Sequence, residues 1–194
     1  RPSVHGDVLH SRPAVVNYNR SGEPTDRDIY VYYGGNDGVF HAAKGGNNIA
    51  DGSEAWGFIP SEFFGQFKRL RNATADTTTN KITTGNPKNY FMDGPIGIYY
   101  FDANSDTRYD VDDGDLVQLF IGARRGGRFV YALDVSDPAA PKFLWKKTSA
   151  SSGYGELGYT WSEPKVAKIN YAGAARNVLI FGGGYDPTVD DLDP

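Results

Sequence analysis

Cysteine is absent from the 194 residues. That excludes a disulfide framework, cysteine-ligated zinc, a thiol nucleophile and iron–sulfur clusters, and leaves any metal to oxygen donors or to the three histidines His5, His10 and His41. Those histidines never occur as HxxH or HExxH, so a zinc hydrolase has no motif to stand on. No apolar run of about 18 residues occurs, which excludes a membrane-spanning helix. A basic surplus is missing too: 20 Lys and Arg against 24 Asp and Glu leave a net charge of -4, the wrong sign for a nucleic-acid binder. The cluster Lys68, Arg69 and Arg71 therefore reads as a solvated face. Glutamate is scarce, at positions 23, 54, 62, 156 and 163 only, so 19 of the 24 acidic residues are Asp. An Asp surplus favours turns and hard-cation sites over solvated helix faces.

Glycine (24), tyrosine (13), phenylalanine (11) and proline (11) are plentiful where methionine occurs once. Aromatic and β-branched runs bounded by Gly and Pro are strand punctuation, so the fold class is all-β. One pattern recurs: a Pro-led strand, a variable loop, an apolar strand ending in glycine, a returning strand, and a strand containing Trp. The first copy opens with Ser11-Arg12-Pro13-Ala14-Val15-Val16, continues as IYVYYGG, turns at Asn36-Asp37-Gly38, returns as VFHAAKG and ends in EAWGFIP. The second opens at Gly94-Pro95-Ile96, continues as LVQLFIGARRGG, returns as RFVYALDV and ends at Phe143-Leu144-Trp145. Matching anchors shift by similar distances: Pro13 to Pro95 by 82, Gly34 to Gly122 by 88, Trp56 to Trp145 by 89. A third copy opens at Ser162-Glu163-Pro164 and runs through NVLIFGGG.

Four antiparallel strands per repeat, with variation confined to loops, is the signature of β-propeller blades. The expected units are residues 7–60, 94–148 and 162–194, about two and a half blades of an incomplete propeller, all within one domain. Two and a half blades leave open edges, which predicts a piece of a longer protein. A β-sandwich with chance similarity between its strands is the alternative architecture. The insertion at 61–93 starts with a short helix over Ser61 to Leu70, Ser61 being its N-cap, and continues as a polar Thr/Asn loop over 72–89.

The stretch from Asp102 to Asp115 holds six Asp in fourteen residues, relieved only by Arg108. Such carboxylates repel one another in a compact loop, and a divalent cation removes the conflict. Oxygen donors at relative positions 1, 3, 5 and 9 (Asp102, Asn104, Asp106, Asp110), with the Arg108 carbonyl at 7, follow the order of an EF-hand-type Ca²⁺ loop. The sixth position is Thr107 where the motif wants Gly, and the twelfth is Asp113 in place of the bidentate Glu. Either Asp113 or water completes the shell. A solvated acidic turn whose Asp side chains cap neighbouring amides is the alternative. A second acidic stretch, Asp186, Asp190, Asp191 and Asp193, lacks this spacing and reads as a disordered tail. Ser11, His10 and Asp7 resemble a catalytic triad in composition only, because neighbours on a strand point to opposite faces.

The segments GDVLHSRPAVV, VYYGGNDGVFHA, EAWGFIP, FIGARRGGRFVYALDVSDPAAPKFLW and SEPKVAKI with LIFGGGYD occur in the order found in the C-terminal propeller of the PilY/PilC family of type IV pilus tip proteins, which this sequence resembles. The resemblance implies a non-enzymatic protein on the surface of a Gram-negative bacterium, at the pilus tip or outer membrane. Its partners would be minor pilins and a host or abiotic surface, and its roles pilus biogenesis by opposing retraction, twitching motility and adhesion. It also implies a Ca²⁺ site on Asp102, Asn104, Asp106, Arg108 through its carbonyl, and Asp110. Two other readings share features with the sequence. ALDV followed by Trp also resembles quinoprotein dehydrogenases, which hold pyrroloquinoline quinone in a closed propeller. A glycan-binding β-module would use aromatics such as Tyr32, Tyr33, Trp56 or Tyr99.

Overall fold

The computed structural model describes residues 6–23, 25, 27–46, 51–68 and 88–190. Strands β1 (Ala14–Asn17), β2 (Ile29–Gly34), β3 (Phe40–Gly45) and β4 (Glu54–Phe58) form one sheet in chain order. β5 (Ile96–Phe101), β6 (Leu116–Gly122), β7 (Phe129–Asp134) and β8 (Lys142–Thr148) form a second sheet in the same order, and β9 (Lys165–Tyr171) pairs with β10 (Ala174–Ile180) as a hairpin. Every pairing is antiparallel. The molecule is all-β, and its four-stranded sheets have the form of propeller blades; among the described residues they do not close into a ring.

The two sheets repeat one another at the level of register. In the first, Tyr32 on β2 faces Ala42 on β3, which faces Trp56 on β4. In the second, Phe120, Ala132 and Trp145 occupy the same three places. The small Ala lets the flanking rings approach, 5.7 Å between centroids for Tyr32 and Trp56 and 5.9 Å for Phe120 and Trp145. Immediately after that Ala each sheet shifts register, at Ala42/Ala43 and at Ala132/Leu133, and a bulge of this kind bends and twists the outer strand.

First strands of successive units lie side by side, β1 against β5 and β5 against β9, the arrangement of inner strands around a propeller axis. At Gly97 the approach is tight: a Cβ there would sit 2.1 Å from the Pro164 carbonyl oxygen. Between the sheets lies one continuous core that includes Tyr18, Tyr32, Phe40, Phe63, Phe91, Leu119, Ile121 and Phe129. Its polar centre is satisfied internally: the Tyr18 hydroxyl donates to the Val135 carbonyl at 2.6 Å, and the Tyr32 hydroxyl lies 2.7 Å from it. With Tyr18 committed to a carbonyl, Tyr32 is the donor in that pair. Burial raises the pKa of both phenols, keeping these protons in place. Trp56 Nε1 donates to the Pro138 carbonyl at 2.8 Å, a second tie between the sheets.

The helix expected from Ser61 is a 3-10 helix over Ser61–Gln66, and Pro60, not Ser61, stands at its N-cap with no side-chain cap. A tertiary anchor replaces the cap. Glu62 accepts from the Tyr131 hydroxyl at 2.5 Å and from Lys146 at 2.8 Å, while Phe63 is buried against Phe91 and Phe129. The Thr/Asn loop expected over 72–89 falls outside the described residues except at Lys88 and Asn89. The acidic stretch read as a disordered tail is ordered where it is described. Asp186 is buried, pairs with Arg128 and accepts from the Thr188 amide and hydroxyl, which sequence pattern does not reveal because Arg128 lies 58 positions away.

Candidate metal centre

Residues 102–115 connect β5 to β6 and take their shape from carboxylates accepting backbone amides. Asp102 Oδ1 accepts from Ser105 N at 2.6 Å and Oδ2 from Thr107 N at 2.9 Å. Asn104 Oδ1 accepts from Asp106 N at 3.1 Å, and Asp106 Oδ1 from Arg108 N at 2.9 Å. These bonds curl the chain around Asp102 and hold Ser105 (φ 61) and Thr107 (φ 65) in the left-handed region, which costs a non-Gly residue about 1 kcal/mol. Thr107 thus takes the conformation that the Ca²⁺-loop motif assigns to glycine, so its departure from that motif in sequence is not a departure in backbone shape.

Asp115, 1% exposed, closes the loop. Its Oδ1 accepts from Ala103 N at 2.7 Å and its Oδ2 from Asp110 N at 2.9 Å. Carboxylate oxygens of Asp102, Asp106 and Asp115 lie within 4.8 Å of one another. Asp110 and Asn104 stand differently. Asp110 Oδ1 accepts from Asp112 N at 3.1 Å, capping the short 3-10 helix Val111–Asp113, and Asn104 Nδ2 donates to Asp113 at 3.4 Å. The structure therefore brings together two of the expected ligands, Asp102 and Asp106, and adds Asp115. Counting ligand positions from Asp102 ends at Asp113 and passes over Asp115; its signal is its place at the entry to β6, where one buried carboxylate can reach both ends of the loop.

Arg108 is the loop's only cation. Its Nε donates to Asp106 at 2.7 Å and its Nη2 lies 2.5 Å from the same carboxylate. Those side-chain bonds, followed by the Arg108 amide, hold Asp106 below the ordinary carboxylate range, and the same pairing raises Arg108. A single exposed guanidinium does not balance three converging carboxylates, and the donors are all hard oxygens on a loop, the chemistry of Ca²⁺ and not of zinc or copper. The residues fit that ion. The loop is also tied to the first sheet: Tyr109 N donates to the Tyr18 carbonyl at 2.8 Å, next to the hydroxyl pair in the core, and Tyr109 packs on Tyr100.

The other candidates separate in space. Ser11 Oγ accepts from Gly34 N, His10 pairs with Asp93, and Asp7 pairs with Lys88, so no triad forms. Ser162 repeats the Ser11 contact in the hairpin unit by accepting from Gly182 N at 2.7 Å, which makes Ser-x-Pro a device for fastening the first strand of a unit to the end of its second. Among the aromatics suggested for a glycan, Tyr32 is buried, Trp56 is half-buried and bonded to Pro138, Tyr33 stacks on His41, and Tyr99 accepts from Asn177 at 2.8 Å.

Residues 12–191 match the model of the PilY1 beta-propeller domain. The chain belongs to this family. Among the relatives of this PilY1-family chain, the type IV pilus biogenesis factor PilY1 of Pseudomonas aeruginosa (strain UCBPP-PA14) is 32% identical over 203 residues, covering 95% of this chain and 15% of that protein. PilY1 of Pseudomonas aeruginosa (strain PAK) is 28% identical, over 98% of this chain and 16% of the relative. A PilY1 homolog of Xylella fastidiosa (strain Temecula1 / ATCC 700964) is 27% identical, over 98% and 15%. The crystal structure of the Pseudomonas aeruginosa PilY1 C-terminal domain superposes with a TM-score of 0.51 at 26% identity, over 81% of this chain and 25% of that one. The chain thus spans about one sixth of the PilY1 proteins it matches.

Proposed function

We propose that this chain is a calcium-binding portion of a β-propeller in a type IV pilus biogenesis factor. It acts without catalysis at the pilus tip or outer surface of a Gram-negative bacterium, where it supports pilus extension against retraction, twitching motility and adhesion. Minor pilins are the proposed partners at the tip, and a host or abiotic surface beyond it. The two sheets and the hairpin are two blades and the first half of a third. The observation that carries the calcium reading is the convergence of Asp102, Asp106 and Asp115 in a loop whose Thr107 already adopts the glycine conformation. Membership of the PilY1 family carries the pilus reading and favours it over a quinoprotein dehydrogenase.

Asp102 and Asp106 would hold the ion, with Asn104, the Arg108 carbonyl and Asp110 as the further expected ligands and Asp115 bracing the loop. Bound Ca²⁺ supplies positive charge that neutralises the carboxylates. The protein's own contribution is transmission: Tyr109 fastens the loop to Tyr18, whose hydroxyl joins the two sheets through Tyr32 and Val135. Ordering the loop therefore stiffens the contact between blades and the surface they present. No described helix is long and apolar enough to cross a membrane.

Isothermal titration of Ca²⁺ into chelator-treated protein, with Mg²⁺ as control, tests the site. One-site binding selective for Ca²⁺ and lost in Asp102→Ala and Asp106→Ala is expected; no binding at millimolar Ca²⁺ overturns the metal reading. In the full-length protein in its own cells, Asp106→Ala is expected to reduce surface pili. Unchanged piliation together with lost Ca²⁺ binding would separate the ion from pilus control.

A further inference from the structure

Away from the acidic loop, the turn between β6 and β7 meets the chain preceding β5 and the chain preceding β9 around a cavity of about 590 Å³. Cations and rings alternate along its wall. Lys88 Nζ lies 5.6 Å from the Tyr90 ring centroid, and the Arg125 guanidinium lies 5.4 Å from Tyr90 and 5.5 Å from Trp161; Arg124, outside the lining, holds its guanidinium 4.6 Å from Trp161. Arg124 reaches this place by adopting φ 49 and bridging to Thr160, and its buried Nε has no hydrogen-bond partner among the described residues. Lys88 is paired with Asp7, whereas Arg124 and Arg125 form no ion pair among the described residues. A guanidinium laid on a ring face keeps its in-plane N–H groups for another acceptor. The site thus gathers positive charge against aromatic faces in a chain whose net charge is negative.

We propose that this cavity binds an acidic saccharide of the uronate type, its carboxylate held by Arg125 and its pyranose face stacked on Trp161 or Tyr90. Two features select that ligand class. The exposed Arg125 offers the planar fork that fits a carboxylate. The rings are flanked by the amide side chains of Gln66 and Asn89, donors and acceptors suited to sugar hydroxyls. The proposal does not depend on the pilus reading or on the metal loop, since it rests on this cavity alone.

The test is isothermal titration with trigalacturonate, its trimethyl ester and triglutamate, on the wild-type chain and on Arg125→Gln and Trp161→Leu. Saturable binding of trigalacturonate is expected, weakened about tenfold or more by esterification and by either substitution, the loss that follows removal of a charge-assisted bidentate contact or a stacking face. Absence of saturable binding overturns the proposal. So does equal affinity for the ester, which would make the site a reader of neutral sugars. Binding of triglutamate as tight as trigalacturonate and insensitive to Trp161→Leu also overturns it, reducing the site to an electrostatic patch. Arg125 is exposed, so Arg125→Gln keeps the fold, checked by thermal unfolding; it and the ester decide the question even if Trp161→Leu unfolds.

Discussion

Residues 18–28 link β1 to β2, and residues 102–115 link β5 to β6, at equivalent places in two sheets that share strand order, bulge position and the ring–Ala–Trp row. The first loop handles charge internally: Arg20 Nε and Nη2 donate to Asp28 at 2.5 and 2.9 Å. The second sets six Asp against one Arg and relieves the crowding by spending carboxylates on backbone amides. The framework is therefore indifferent to what it carries between its first two strands. The loop in which three carboxylates converge is the one for which an ion is proposed.

A contrast of the same kind separates the third strands. His41 on β3 precedes the bulge Ala of the first sheet and meets Asp37 at 3.1 Å and Glu54 at 2.6 Å. Tyr131 holds the corresponding place on β7 and donates to Glu62. At this place one sheet carries an imidazole paired with two carboxylates and the other a phenol.

The largest expected effect probes where the sheets stop being equivalent. Ala14 and Gly97 face Tyr32 and Phe120 in matching positions, and Gly97 stands against the Pro164 backbone just before β9. Gly97→Ala drives a methyl against the Pro164 backbone and is expected to cost about 3 kcal/mol, read from denaturant unfolding. An effect below about 1 kcal/mol would mean that β9 does not pack on β5 as described.

Calcium comes next. At a free concentration 100 times its Kd, it is expected to stabilise the chain by about 2.7 kcal/mol, seen as a rise in Tm. Asp102→Asn removes the rise, whereas Arg20→Gln, which breaks the ion pair with Asp28 in the first loop, leaves it intact. Equal losses in both variants would erase the distinction between the loops.

Tyr18→Phe strips the hydroxyl that joins the sheets and leaves the Val135 carbonyl without its donor. About 2 kcal/mol is expected, again from denaturant unfolding.

The smallest effect is the pH response of the first sheet. Burial opposes a charged His41, but hydrogen bonds to Asp37 and then Glu54 outweigh it and raise its pKa above 6.5. Its contribution is therefore full below about pH 6.5 and is lost as pH rises through the raised folded value. Asp37 runs the other way. Burial works to raise it, yet the His41 bond and the amides of Gly6 and Val39 bring it down to about 2 from 3.8, so its contribution holds above pH 3.8 and is lost as pH falls toward 2. His41→Gln is expected to flatten the neutral-to-alkaline decline in Tm, and an unchanged profile would assign that decline elsewhere.

Much of the framework was legible because strand pattern is local. Pro13, Pro95 and Pro164, the glycines ending β2 and β6, and the recurring Trp mark the units without reference to a partner. The acidic loop was legible for the same reason, since Asp102, Asn104 and Asp106 announce themselves by spacing. What was not legible depends on residues far apart in sequence. Ser61 has the chemistry of an N-cap, but Glu62 is claimed by Tyr131 and Lys146 across the core. Asp186 looks like tail until Arg128 is placed beside it. Arg124 and Arg125 read as part of a family signature, and only the arrival of Trp161 and Tyr90 makes Arg125 a wall of a cavity.

By itself the sequence determined the class of fold, the repeat and the presence of a carboxylate-rich loop, because alternation, turn residues and ligand spacing act within a few positions of one another. Tertiary structure decided which carboxylates converge, by bringing buried Asp115 against Asp102 and Asp106. It also decided which polar groups join the sheets and which cations face aromatic rings. Those outcomes follow from the packing of one sheet on the next, which no local pattern specifies.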